Sequence, residues 1–216
     1  MKLYCKDIDL LKFEPSVFMT GSFESQLLYK GKNAQFKNGN LLMPDNSVVQ
    51  YTIKPGMVVH VYKKNPYEGT AYEIIQCLSN KEMKISVLRT DADGNTFSPK
   101  NETGLNFRIV TFASKIKAIS EIITNKLKHF YEVSNQSFQL PESEQLKNCT
   151  AAGTLGQIFL SRTVDTKSED PNWQKAQHYN NLFKEKLAQL RIPSDSNGDG
   201  LSDSSRSTAN VTLRRV

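Results

Sequence analysis

The chain changes its periodicity near residue 110. Before that point apolar residues come in short runs rich in Val, Ile, Tyr and Phe, cut by turn residues. After it they recur every three or four positions over stretches of about twenty residues. Two such blocks in series predict an α+β chain. Residues 1–110 are expected to form a small antiparallel β-barrel or sandwich, residues 111–193 a three-helix bundle, and residues 194–216 an extended C-terminal arm.

In the first block, Asp7 is placed to cap a short helix through Leu10 and Leu11, which Pro15 stops. Strands are then expected at Gln26–Tyr29, Asn40–Met43, Val48–Ile53, Met57–Tyr62, Ala71–Leu78, Met83–Arg89 and Asn106–Phe112. Asn38-Gly39, Pro44-Asp45-Asn46, Pro55-Gly56, Ser79-Asn80 and Asp93-Gly94 supply the turns between them. Alternation is plainest in Lys84-Ile85-Ser86-Val87-Leu88-Arg89.

In the second block, Phe112, Ile116, Ile119, Ile123, Leu127 and Phe130 make one helical face, with Lys117, Glu121, Asn125 and Lys128 on the other. A second helix is expected from about Ser143 to Arg162, with a centre of small residues, Cys149-Thr150-Ala151-Ala152-Gly153, and Gly156 beyond. Each Gly costs a helix roughly 1 kcal/mol against Ala, so two in one helix predict close approach of another backbone. The third helix opens at Asp170-Pro171, a cap followed by Pro in the first turn. Trp173, Ala176, Tyr179, Phe183, Leu187 and Leu190 form its apolar face, and Pro193 is expected to end it. From Ser194 the chain is polar and rich in Ser, Asp and Gly, and is expected as a loop or arm. Its tip, Val211-Thr212-Leu213-Arg214-Arg215-Val216, alternates like a strand.

Composition removes several classes. With 38% apolar and 23% charged residues over 216 positions, the chain is neither collagen-like nor wholly disordered. The longest uncharged run, Asn148 to Ser161, is 14 residues, short of a bilayer span, so no membrane association is expected. Asp7 and Asp9 fall where a signal peptide would be apolar, so a cytosolic, reduced, soluble protein is expected. Three cysteines, Cys5, Cys77 and Cys149, with no C-x-x-C pair, argue against a disulfide framework and a structural zinc site. The net charge of +6 is even: each half carries 14 of the 28 basic and 11 of the 22 acidic residues. A dedicated duplex binder concentrates its charge instead.

Catalytic patterns are sparse. His60, His129 and His178 lie far apart and have no metal-ligand spacing. No G-x-S-x-G, Walker loop or G-x-G-x-x-G occurs. Cys149 reads as a small apolar filler. No enzyme activity is expected. One motif has a mechanism. Asp195, Asn197, Asp199, Leu201 and Asp203 follow the order of a calcium-binding loop, with Gly200 at the sharp turn. The twelfth position is Arg206 rather than Glu, so the bidentate ligand is missing. The segment is either a calcium site or an Asp/Asn/Gly-rich turn whose side chains bond their own backbone. No other cofactor is expected.

Taken in order, the amphipathic helix, the small-centred helix, the Trp173-x-Lys175-Ala176-x-x-Tyr179-x-x-x-Phe183-x-x-x-Leu187 helix, and the acidic Gly-rich motif leading into Val211-x-Leu213-x-Arg215-Val216 resemble the head-to-tail adaptor (connector) proteins of tailed bacteriophages. The resemblance covers about residues 111–216. It implies a virion structural protein in the neck, made in the host cytoplasm and assembled as a homo-oligomeric ring, usually of twelve copies, beneath the portal protein. Such a ring joins capsid to tail and contacts a head-closure or tail-terminator protein. It also forms a passive channel for double-stranded DNA. Arg206, Val211, Leu213, Arg214, Arg215 and Val216 would then contact the partner. Minimal adaptors are nearly all helix, so the β-rich first block departs from the pattern. Other neck or tail components (head-closure, tail-completion or baseplate proteins) and an intracellular nucleic-acid- or calcium-binding module are the alternatives.

Overall fold

The computed structural model describes residues 2–19, 26–44, 52–89, 94–131, 143–164, 169–194 and 204–207. The chain is α+β and divides into two units: Lys6–Ala113, and Met1–Cys5 together with Ser114–Val216.

The first unit is a closed antiparallel barrel of six strands: β1 (Leu27–Lys37), β2 (Asn40–Leu42), β3 (Val58–Tyr62), β4 (Thr70–Ser79), β5 (Glu82–Ser86) and β6 (Glu102–Val110). The order around the barrel is β1-β2-β5-β4-β3-β6, and β6 closes on β1. Closure leaves the barrel no free sheet edge. The β1–β2 turn is Asn38-Gly39 with φ of 51° and 82°, the two left-handed residues that a tight hairpin turn demands. Inward positions fill the interior with Phe36, Leu41, Val59, Ile74, Ile85 and Phe107, all buried. Two short helices, α1 (Asp7–Phe13) and α2 (Ser16–Met19), belong to the same unit, and α2 lies against β3 and β4.

One strand expectation and one helix-cap expectation are corrected, and a further strand falls mostly outside the described residues. β1 runs on from Leu27 to Lys37, well past the expected end at Tyr29, because Ala34 and Phe36 are buried while Lys30, Lys32 and Lys37 point out. Most of Val48–Ile53 lies outside the described residues, and Ile53 enters the core without strand pairing. Asp7 does not cap α1. It is the first helical residue, and the Asp9 carboxylate takes the Lys6 N–H at 2.7 Å instead.

The second unit contains α3 (Ala113–Tyr131), α4 (Glu144–Leu160) and α5 (Pro171–Gln189). Ser143 caps α4, its Oγ accepting the Leu146 N–H at 3.2 Å. Asp170 caps α5, its Oδ1 accepting from the Asn172 N–H at 2.7 Å. α4 is buried from Cys149 through Gly156 without a break, which a helix tolerates only when nearly every surface residue is apolar or small. Thr150 and Thr154 fit because their hydroxyls donate to carbonyls one turn back, at 2.8 Å each. α5 ends at Gln189, short of Pro193. The chain turns extended at Leu190, and Arg191–Ser194 forms β7, paired antiparallel with β8 (Ser204–Ser207). Part of the expected loop after Ser194 is therefore a strand. Tyr4 joins the core of this unit beside Ile119, Ile123, Leu146, Cys149 and Leu187.

Candidate functional site

Most of the candidate site residues lie outside the described residues. Asp195, Asn197, Asp199, Leu201 and Asp203, the candidate calcium ligands, lie outside the described residues, as do Val211, Leu213, Arg214, Arg215 and Val216. Arg206 lies in β8, opposite Ile192 of β7. Among the described residues no group of three His, Cys, Asp or Glu side chains is placed to hold a metal ion.

Cys149 sits in the middle of α4, fully buried, and burial pushes its thiol up to about 12. Burial thus disfavours the thiolate form that nucleophilic or metal-ligating chemistry needs. The small centre of α4 serves packing. A Cβ on Gly153 would stand 2.9 Å from the Phe183 ring of α5 and 3.0 Å from Ile119 of α3. Gly153 is thus a point where side chains of α3 and α5 both meet the backbone of α4. One turn on, a Cβ on Gly156 would lie 2.4 Å from Oδ1 of Asn180.

His178 packs edge-on against Tyr179 in α5, and His60 belongs to the barrel unit. His60 pairs with Arg108 across the β3–β6 ladder, on the outward face of the barrel strands, yet only 1% of it is exposed. Its Nδ1 accepts the Arg108 Nε–H at 3.2 Å. The same guanidinium donates to the Phe18 carbonyl at 3.2 Å and the Met19 carbonyl at 2.5 Å, at the end of α2. Burial, and secondarily the Arg108 charge, hold His60 down at about 4, so it is neutral at neutral pH with its proton on Nε2. That Nε2 has no partner of hydrogen-bond geometry, although the Gly69 backbone beside it opposes the downward shift. A base needs a free lone pair, and this imidazole has none. Its work is to orient Arg108, which fastens α2.

Asp7 is a second buried polar centre, found by neither motif nor spacing. Its carboxylate accepts the Phe112 N–H at 2.8 Å and the Thr111 hydroxyl at 2.7 Å. Thr111 Oγ1 in turn accepts from the Ala113 N–H at 3.2 Å. Burial, against those two hydrogen bonds, raises Asp7 to about 6. A third centre is Glu73, 5% exposed, which takes a two-pronged ion pair from Arg89 at 2.9 and 3.0 Å. Each of these groups joins parts of the chain that are distant in sequence.

No family model, curated protein or solved structure matches the chain.

Proposed function

We propose that the chain is a structural subunit of a tailed-bacteriophage neck, a head-to-tail adaptor that assembles as a ring under the portal. On this reading α3, α4 and α5 act as a three-helix bundle, and the residues after Ser194 serve as the arm that engages a neighbour. The observation that carries the reading is the meeting of Ile119, Gly153 and Phe183. The three helices quoted for the resemblance all form, and the small-residue centre of α4 packs closely against its neighbours. A buried thiol, a neutral histidine with both nitrogens occupied or enclosed, and a barrel filled with side chains suit a part that works by assembly. Ring subunits use a heterologous interface, in which a patch on one copy meets a different patch on the next. The closed barrel favours a second reading within the same class, a head-closure, tail-completion or baseplate component.

The test is to mix the purified chain with portal rings and follow mass and electron micrographs. The adaptor reading expects a symmetric ring on the portal. It also expects that a chain ending at Ser207 keeps its thermal midpoint while failing to join particles. Binding to tail tips but not to portal would select the second reading. Tight binding to duplex DNA with a steep salt slope would overturn both.

A further inference from the structure

The barrel has an open end where β3 leaves, β4 begins and β6 begins. A cavity of about 230 Å³ occupies it. Its floor is apolar: Phe36, Val61 and Leu105, each buried, turn inward from β1, β3 and β6. Tyr72 walls one side, its ring 5.4 Å from that of Phe36 at 72°. The volume lies below that of a drug-sized site, so an occupant must be small.

The rim carries two cations and two anions, and their engagements differ. Lys63 pairs with Glu102 at 2.6 Å. Glu68 accepts from Asn65 Nδ2 at 3.1 Å, and Asn65 Oδ1 also takes the Tyr67 N–H at 3.0 Å, so residues 65–68 are ordered before any ligand arrives. The Lys63 carbonyl is held by Asn106. Each rim carboxylate therefore has one partner on one of its oxygens. Lys64 makes no ion pair among the described residues. Tyr72 lines the same opening, and burial raises its phenol above the ordinary tyrosine value, so it is present as the O–H form. The mouth thus offers one ammonium and one O–H donor above an apolar floor.

We propose that this barrel mouth binds a small organic carboxylate with an apolar stem, the carboxylate received by Lys64 and Tyr72 and the stem resting on Phe36, Val61 and Leu105. The site is independent of the assembly reading, since every residue in it belongs to the barrel unit.

The test uses the full chain and backbone-amide NMR shifts. Phenylpropionate is titrated in one arm and its uncharged amide, phenylpropionamide, in the other. Saturable shifts are expected at residues 61–72 and 102–106, with a dissociation constant of about 1 mM, the range that ligand efficiency sets for about eleven heavy atoms. The amide should bind about tenfold more weakly, as should phenylpropionate to Lys64→Gln. Tyr72→Phe should lose several-fold, and Thr70→Trp, an exposed position on the rim, should plug the mouth and remove the shifts. A third arm uses a short peptide ending in Phe with a free carboxylate. Tighter binding of the peptide than of phenylpropionate assigns the head group to a polypeptide end, and weaker binding assigns it to a free small molecule. Equal affinity for acid and amide, shifts that map elsewhere, or no saturation at about ten times the expected constant would each overturn the proposal.

Discussion

The Asp7 carboxylate accepts the backbone N–H of Phe112, 105 residues further along the chain, at 2.8 Å. The bond joins the first turn of α1 to the segment just beyond β6, and so ties together the two ends of the barrel unit. It is made by a carboxyl that burial raises to about 6, and this has a measurable consequence.

Asp7 and His60 should oppose each other in the pH dependence of stability. Asp7 is raised from an unfolded value near 3.9, so its contribution is complete below about pH 4 and is lost as pH rises through about 6. His60 is lowered from about 6.5, so its contribution is complete above that value and is lost as pH falls through about 4. Each amounts to at most about 3 kcal/mol, and across pH 4–6.5 the two nearly cancel. Urea titrations of the intact chain should therefore show shallow pH dependence in that window. Asp7→Asn should expose a stability that rises with pH, and His60→Gln one that falls. Slopes of the same sign in both variants would disprove the assignment.

Alanine at the two α4 glycines should have unequal effects. At Gly153 the added methyl meets an aromatic ring and an isoleucine on two other helices, so Gly153→Ala should destabilise by about 1–3 kcal/mol. At Gly156 it meets the tip of the Asn180 side chain, which can turn away, and helix propensity returns about 1 kcal/mol. Gly156→Ala should therefore be close to neutral. Thermal melts that rank the two the other way would refute the packing account.

Glu73→Ala should destabilise the barrel by about 3–5 kcal/mol, because it strands the Arg89 guanidinium, whose side chain is 11% exposed. Arg89 also donates to the Gly94 carbonyl at 3.2 Å, so loss of Glu73 should raise amide exchange around Gly94 as well as lower the midpoint.

Thiol labelling of the native chain should proceed at Cys77 first. Cys5 and Cys149 are buried and Cys77 is only half-covered. Mass spectrometry after short exposure to a thiol reagent should find one modified site. Early modification at Cys149 would mean that α4 opens far more readily than its burial implies.

Periodicity carried most of the helical reading because α3, α4 and α5 bury local patterns: Ile116, Ile119 and Ile123 recur on one face, and Ser143 and Asp170 cap through bonds to residues two or three positions on. Asn38-Gly39 was equally legible, since the turn needs two left-handed residues in succession. What escaped notice depends on distant partners. Lys30 and Lys32 disguised the continuation of β1, whose place is set by β6 some seventy residues later. Asp7 has the local look of a cap, and only the tertiary fold delivers Thr111 and Phe112 to it. The ladder from Arg191 to Ser207 pairs Ser-rich backbone with no apolar alternation to announce it. Lys64 and Tyr72 fall in unremarkable turn and strand sequence, and closure of the barrel is what sets them around one opening.

Tyr4 donates its backbone N–H to Ser120 Oγ at 3.3 Å, and its hydroxyl lies 2.6 Å from Thr124 Oγ1. During synthesis these partners leave the ribosome 116 and 120 residues after Tyr4. At about 5–20 residues per second, that is a delay of roughly 6–24 s, long enough for a small domain to fold. β6, whose pairing with β1 closes the barrel, ends ten residues before Ser120 and so emerges only at the end of that delay. Tyr4 must wait as an exposed aromatic until α3 emerges, so a chaperone that captures nascent apolar segments has a defined interval in which to act.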